Sequence, residues 1–236
     1  MTTAPAVQKL VDAAGGLDIQ PRARRWAHLP LCVLDAVFSI NARYTSTIAV
    51  CDRYAKHQGL LTYLVDVADL ATVAGDAAEQ PVDELADLGH RLGPARLATD
   101  VLRNRGRTST RGGVLKADAA VRYAEILAAS DVHTLGDVTL LLADLPRLHA
   151  VESRLRTVPG NGQHDIRIGY LWMLAGTDEQ VKPDRKVLRW LRQTLDHEVD
   201  VPNARQLLTD AAAALGCSPW ELDNAIWRCG DTEHRS

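Results

Sequence analysis

Leu155-Arg156-Thr157-Val158-Pro159-Gly160-Asn161-Gly162-Gln163-His164-Asp165 is the stretch whose reading decides the fold. The residues before it, 147–157, carry a helical apolar pattern, and 165–174 resume one. Between them a proline and two glycines allow the backbone to turn tightly and to approach another molecule closely. The second helix opens directly after the turn, so its first N–H groups lack helical partners and sit at a positive dipole end. Such an end is suited to phosphate. The same Pro-Gly break also serves as an ordinary connection between two helices.

Outward from this turn, alanine and leucine are abundant, β-branched runs are short and strand-type alternation is scarce. The pattern predicts helices over 31–57, stopped by Gly59, and over 60–74, 81–92, 95–104, 114–129, 137–143, 184–197, 203–215 and 219–227. Gly93-Pro94 reads as a turn, 105–113 as a basic loop and 176–182 as a loop. Ser218 reads as an N-cap with Pro219 in the first helical position. Residues 1–16 and 231–236 read as frayed. Tyr170, Trp172, Trp190, Trp220 and Trp227 read as core.

The hydrophobic fraction of 46% and charged fraction of 24% are those of a globular chain that buries a core without staples. Cys32, Cys51, Cys217 and Cys229 form neither a C-x-x-C pair nor a zinc spacing, and read as buried small hydrophobes. Met1 to Ala14 holds no basic region followed by an apolar block, and no stretch nears the roughly 18 apolar residues of a membrane helix, so the expected location is the cytoplasm. The net charge of −3 argues mildly against nucleic acid, but its distribution is uneven. Asp66 to Asp87 holds seven acids and no Lys or Arg, whereas Arg91 to Lys116 holds seven basic residues against Asp100 alone. A basic flank of that kind can face a polyanion.

The hairpin resembles the helix-hairpin-helix element of the endonuclease III and adenine glycosylase superfamily (HhH-GPD), where the pattern is L-P-G-x-G. In that family a helix and a loop lead to an aspartate opening the next helix in a V-D-x-x-V-x-R context. The matching segment here is Pro183-Asp184-Arg185-Lys186-Val187-Leu188-Arg189. Leu34-Asp35-Ala36-Val37-Phe38-Ser39-Ile40-Asn41-Ala42 resembles the family's early helix, and Gly113-Val114-Leu115-Lys116-Ala117-Asp118-Ala119-Ala120-Val121 the helix upstream of the hairpin. The resemblance spans roughly Pro30 to Leu195.

The resemblance implies an all-α, two-lobed fold. An N-terminal extension would cover 1–28 and a tail 231–236. Lobe A would hold about 29–62 plus 196–230, and lobe B about 63–195 with the hairpin at 155–167. It implies a DNA-binding base-excision protein, a monomer on double-stranded DNA in the nucleoid, hydrolysing the N-glycosidic bond of a flipped base. Asp184 would be the catalytic carboxylate, stabilising an oxocarbenium-like state. Gly160, Asn161, Gly162, Gln163, His164, Asn41, Arg43, Lys116 and Lys186 would contact DNA, and Asn41, Arg43 and Tyr44 are candidates to fill the gap or stack on the flipped base. A monovalent cation would sit on hairpin carbonyls near Val158 and Gly160.

His164 stands where bifunctional members carry a nucleophilic lysine, so a monofunctional enzyme is expected. Only Cys217 and Cys229 lie near the C-terminus, so no iron-sulfur cluster and no other cofactor is expected. Two other readings compete: a non-catalytic helix-hairpin-helix DNA-binding module, and a helical protein-interaction domain. Taken alone, Asp184 also reads as a plain helix cap.

Overall fold

Amphipathic segments with good helix formers dominate the chain, and among the described residues the architecture is predominantly helical, with one short ribbon. The computed structural model describes residues 4–64, 79–161, 165–176 and 178–232. Among these are α1 (Ala4–Ala14), α2 (Leu29–Phe38), α3 (Tyr44–Gln58), α4 (Asp83–Arg96), α5 (Lys116–Ala128) and α6 (Leu135–Ala143). There follow α7 (Leu145–Leu155), α8 (Ile166–Ala175), α9 (Arg185–Leu195), α10 (Val201–Leu215) and α11 (Pro219–Thr232). The ribbon pairs β1 (Arg25–Trp26) antiparallel with β2 (Tyr63–Leu64), and the Trp26 and Tyr63 rings stack with centroids 4.7 Å apart. Among the described residues no helix is long and apolar enough to cross a membrane. The helix expected over 60–74 gives way to β2 at its start, and its remainder lies outside the described residues.

The chain divides into two compact units, one of Met1–Arg22 with Thr177–Ser236, the other of Ala23–Gly176. This differs from the expected lobes, and burial gives the reason. Every residue of α2 is buried, as a helix apolar on all sides except at Asp35 must be, and α2 packs on α3, α5 and α8. Residues 29–62 therefore group with the hairpin segment rather than with the C-terminal helices. The partner of those helices is α1, in the stretch expected to fray. Its apolar Ala6, Val7, Leu10, Val11 and Ala14 recur at helical spacing and pack onto α9 and α10. Leu10 and Ala14 share a core with Val187, Leu191, Leu208, Leu222 and Ile226. In the same unit Ser218 and Glu221 form the expected cap of α11, each side chain bonded to the other's backbone N–H.

In the larger unit, Asp35 lies wholly buried in the middle of α2. Its two oxygens accept from Trp26 Nε1 at 2.9 Å and Tyr170 Oη at 3.2 Å, which offsets the cost of burying a carboxylate. The single helix expected over 31–57 breaks at 39–43, where Asn41 takes a left-handed φ of 49°. The expected turn at Gly93-Pro94 is a kink inside α4, with Gly93 at φ 75°, and the helix runs on into a π-helical turn over Leu97–Val101. Alongside, α4 meets α5 at Gly89, where an added Cβ would stand 2.2 Å from Val121 Cγ2.

Glu79 ties two helix starts together. Its Oε1 accepts the N–H of Leu29 at 3.3 Å and of Leu135 at 2.8 Å, satisfying one orphan donor each of α2 and α6. Burial outweighs these bonds and pushes the carboxyl up to about 7. With its folded value above its unfolded one, Glu79 takes up a proton on folding, so its contribution to stability is full in acid and is lost as pH rises from about 4.5 to about 7. Glu79→Gln should remove that slope from the pH dependence of the melting temperature. An unchanged slope in the variant would assign the titration to another group.

Candidate nucleic-acid interface

Three connections of the larger unit are joined by two residues, Lys116 and Thr108. The first connection is the break between α2 and α3. The Lys116 ammonium, 6% exposed, donates to Phe38 O at 3.0 Å and Ile40 O at 2.6 Å. It thereby satisfies carbonyls that the end of α2 leaves without helical partners. Burial lowers its pKa. Lys116 was expected on the DNA; its charge is spent inside the protein. Asn41 and Arg43 are exposed beside this clamp, with Arg43 as the N-cap residue of α3.

The second connection is the basic loop between the π-helical turn and α5. The backbone N–H of Lys116 donates to Gly106 O at 2.8 Å, so one residue holds both connections. Within the loop, Thr108 N–H donates to Val114 O at 2.9 Å and Arg107 Nε to Gly113 O at 2.9 Å. Gly113 allows this fold-back, since a Cβ there would stand 2.3 Å from Ser109 N. Arg103, Arg105, Arg107 and Arg111 are all exposed, and no acid lies between them. Sequence reading marked this loop as basic but named none of these arginines as site residues. Their signal was the run of like charge itself.

The third connection is the hairpin after α7. Gly160, at φ 90°, backs onto Thr108, and a Cβ there would lie 2.4 Å from Thr108 Cβ. Only glycine fits that φ and that contact together. Beneath it lies the buried guanidinium of Arg167, which donates to Val158 O at 2.9 Å, to Pro159 O at 3.1 Å and to Tyr123 Oη at 2.7 Å. Tyr123 Oη donates in turn to Asn161 Oδ1 at 3.1 Å. The carbonyls expected to hold a monovalent cation near Val158 thus already receive a cationic side chain. Asp165, the residue before α8, is bonded by Arg156 Nε at 2.7 Å and by Asn161 Nδ2 at 2.8 Å. Its charge partly answers the positive end of α8. Gly162, Gln163 and His164 lie outside the described residues.

Tyr44 starts α3 with its side chain partly exposed, and burial of its hydroxyl together with the Asp35 charge holds its pKa far above the phenolic range. Tyr170 and Trp172 are core residues, as their spacing suggested.

In the smaller unit Asp184 is the N-cap of α9. Its Oδ1 accepts from Lys186 N at 2.8 Å and Val187 N at 3.2 Å, and among the described residues Oδ2 accepts no hydrogen bond. The Lys186 ammonium stands 3.8 Å from the centroid of the Trp227 ring, a cation–π contact on the protein itself. A second carboxyl, unnoticed in the sequence, belongs to this corner. Asp223 of α11 is buried, and its Oδ1 accepts the Lys182 N–H at 3.2 Å. Burial, and then the charge of Asp184, push it well above the usual carboxylate range.

The clamp on α2 has a direct test. Lys116→Met leaves the Phe38 and Ile40 carbonyls without their donor and should cost about 1–3 kcal/mol in urea unfolding. An unfolding free energy equal to wild type would show that the clamp contributes nothing to the fold.

Residues 5–231 match the model of a family described as Domain of unknown function (DUF8548), and the chain belongs to that family. No curated protein and no solved structure matches it.

Proposed function

We propose that this member of DUF8548 is a DNA-binding protein of base excision, a monofunctional glycosylase that grips the phosphate backbone with its hairpin and basic loop. The observation that carries the reading is the contact of Thr108 with Gly160. It sets four exposed arginines, free of intervening acids, beside a glycine-rich turn. Arginines and exposed backbone N–H groups are the usual donors to phosphate, and they hold DNA without reading its sequence. Asn41 and Arg43 join this set through the Lys116 clamp.

Asp184 supplies the chemistry in this reading. One oxygen is fixed by the cap, which orients the other. In hydrolysis the C1′–N bond breaks, the electron pair leaves with the base, and water forms the new bond to C1′. Asp184 Oδ2 stabilises the positive sugar and takes the water's proton. The capping bonds also favour a second reading, a DNA-binding module without turnover, in which Asp184 only starts α9.

Asp184→Asn distinguishes the two. The amide keeps much of the cap but not the charge. The variant should fold, bind duplex DNA near wild-type affinity and release base at least about a hundredfold more slowly. A panel of duplexes carrying alkylated, deaminated and oxidised bases provides the substrates. Borohydride added during turnover should trap no covalent adduct, because the proposed step forms no Schiff base. Base release by the asparagine variant at the wild-type rate would leave Asp184 as a cap. A wild type that binds DNA but cleaves no member of the panel would favour the module.

A further inference from the structure

One face of α9 carries a charge pattern that neither the hairpin nor Asp184 uses. Arg185, Arg189 and Arg192 are exposed, and their spacing of four and three residues puts them on one face within about 60° of rotation. They succeed one another over about 10 Å of helix axis. Val187, Leu191 and Leu195 occupy the opposite side and enter the core. Leu188 lies at the boundary, half-buried, packed against that core and open to the arginines. Together Arg185, Leu188, Arg189, Arg192 and Glu198 line an open cleft of about 320 Å³. No acid occurs between Arg185 and Leu195, and the one acid of the cleft, Glu198, is engaged with Arg192 Nη1 at 3.2 Å.

We infer that this cleft binds the phosphodiester backbone of a nucleic-acid strand, with Arg185 and Arg189 on phosphates and Leu188 beneath the sugar between them. The charge pattern selects a polyanion. Three arginines and no lysine line the cleft, and the planar guanidinium fork matches a phosphate's paired oxygens. The two arginines stand about 6 Å apart along the helix, with an apolar surface between them. A nucleic-acid strand alternates charged phosphate with less polar sugar, and so matches that sequence of surfaces. An acidic peptide offers separate flexible carboxylates and no such apolar element. The inference stands on the smaller unit alone and does not rest on the hairpin.

The test is fluorescence anisotropy with a fluorescein-labelled duplex, and with the same sequence as a single strand, between about 50 and 200 mM salt. Wild type is compared with Arg185→Gln/Arg189→Gln, with Arg185→Lys/Arg189→Lys, and with the loop variant Arg105→Gln/Arg107→Gln. Both stripe residues are exposed, and circular dichroism confirms the fold of each variant. The glutamine pair should weaken binding of at least one probe about tenfold and lower the slope of log affinity against log salt by about 1.8 on duplex or about 1.4 on single strand. The lysine pair should keep the slope while losing part of the affinity.

Wild-type affinity and slope in the glutamine pair, on both probes, overturn the inference whatever the loop variant does. Loss in the glutamine pair with none in the loop variant overturns the hairpin reading and leaves the inference standing. A wild type that binds neither probe overturns both. Polyglutamate that binds wild type more tightly than either probe, with the same dependence on Arg185 and Arg189, makes the partner an acidic protein and overturns the assignment to nucleic acid.

Discussion

The ammonium of Lys116 is buried against backbone oxygens, and among the described residues no carboxylate is bonded to it. That constraint orders the rest of the larger unit. A buried charge is tolerated when it is hydrogen-bonded, and the Phe38 and Ile40 carbonyls at and just after the end of α2 take two of its three N–H donors here. The exchange is mutual, because those carbonyls need a donor where the helix stops. α2 can then end at Phe38, and the chain can turn through Asn41 into α3. The Lys116 backbone also holds the root of the basic loop, whose tip in turn holds the hairpin. Arg167 repeats the device under the hairpin, again with carbonyls as acceptors. Both cations stabilise irregular backbone, which has more unsatisfied oxygen than a helix does.

Much of the helical order was legible because amphipathic periodicity leaves a local trace. The helices around the hairpin, the stop at Gly59 and the cap at Ser218 follow from neighbours within one turn. Three features were not legible, and each depends on residues far away in sequence. The break at 39–43 follows no proline or glycine; its stabilising partner is Lys116, some 76 residues on. The grouping of α2 with α8 rests on burial of a whole helix and on Asp35 meeting Tyr170 across 135 residues. The N-terminal stretch reads as frayed from its position alone, yet its apolar stripe has a surface to cover.

For the candidate site the division is similar. The hairpin and the aspartate before α9 were visible as motifs. The partners that define their state were not. Thr108, Arg167 and Asp223 carry no motif, and each acts on a backbone turn from another element. Lysine in particular misleads a sequence reader, since its usual place is a solvated surface. A net charge of −3 conceals two arginine-rich surfaces, one in each unit, because acids and bases are segregated along the chain.

The smaller unit is assembled from two stretches far apart in the chain, Met1–Arg22 and Thr177–Ser236, and this shapes the order of events on the ribosome. α1 is made before the helices it packs on, which begin about 170 residues later. At roughly 5–20 residues per second, its apolar stripe waits roughly ten to thirty seconds for them. The stretch 23–176 is contiguous and can close its own core in that interval. Docking of α1 onto α9 therefore closes a loop of about 170 residues, whose entropy cost grows only slowly with its length.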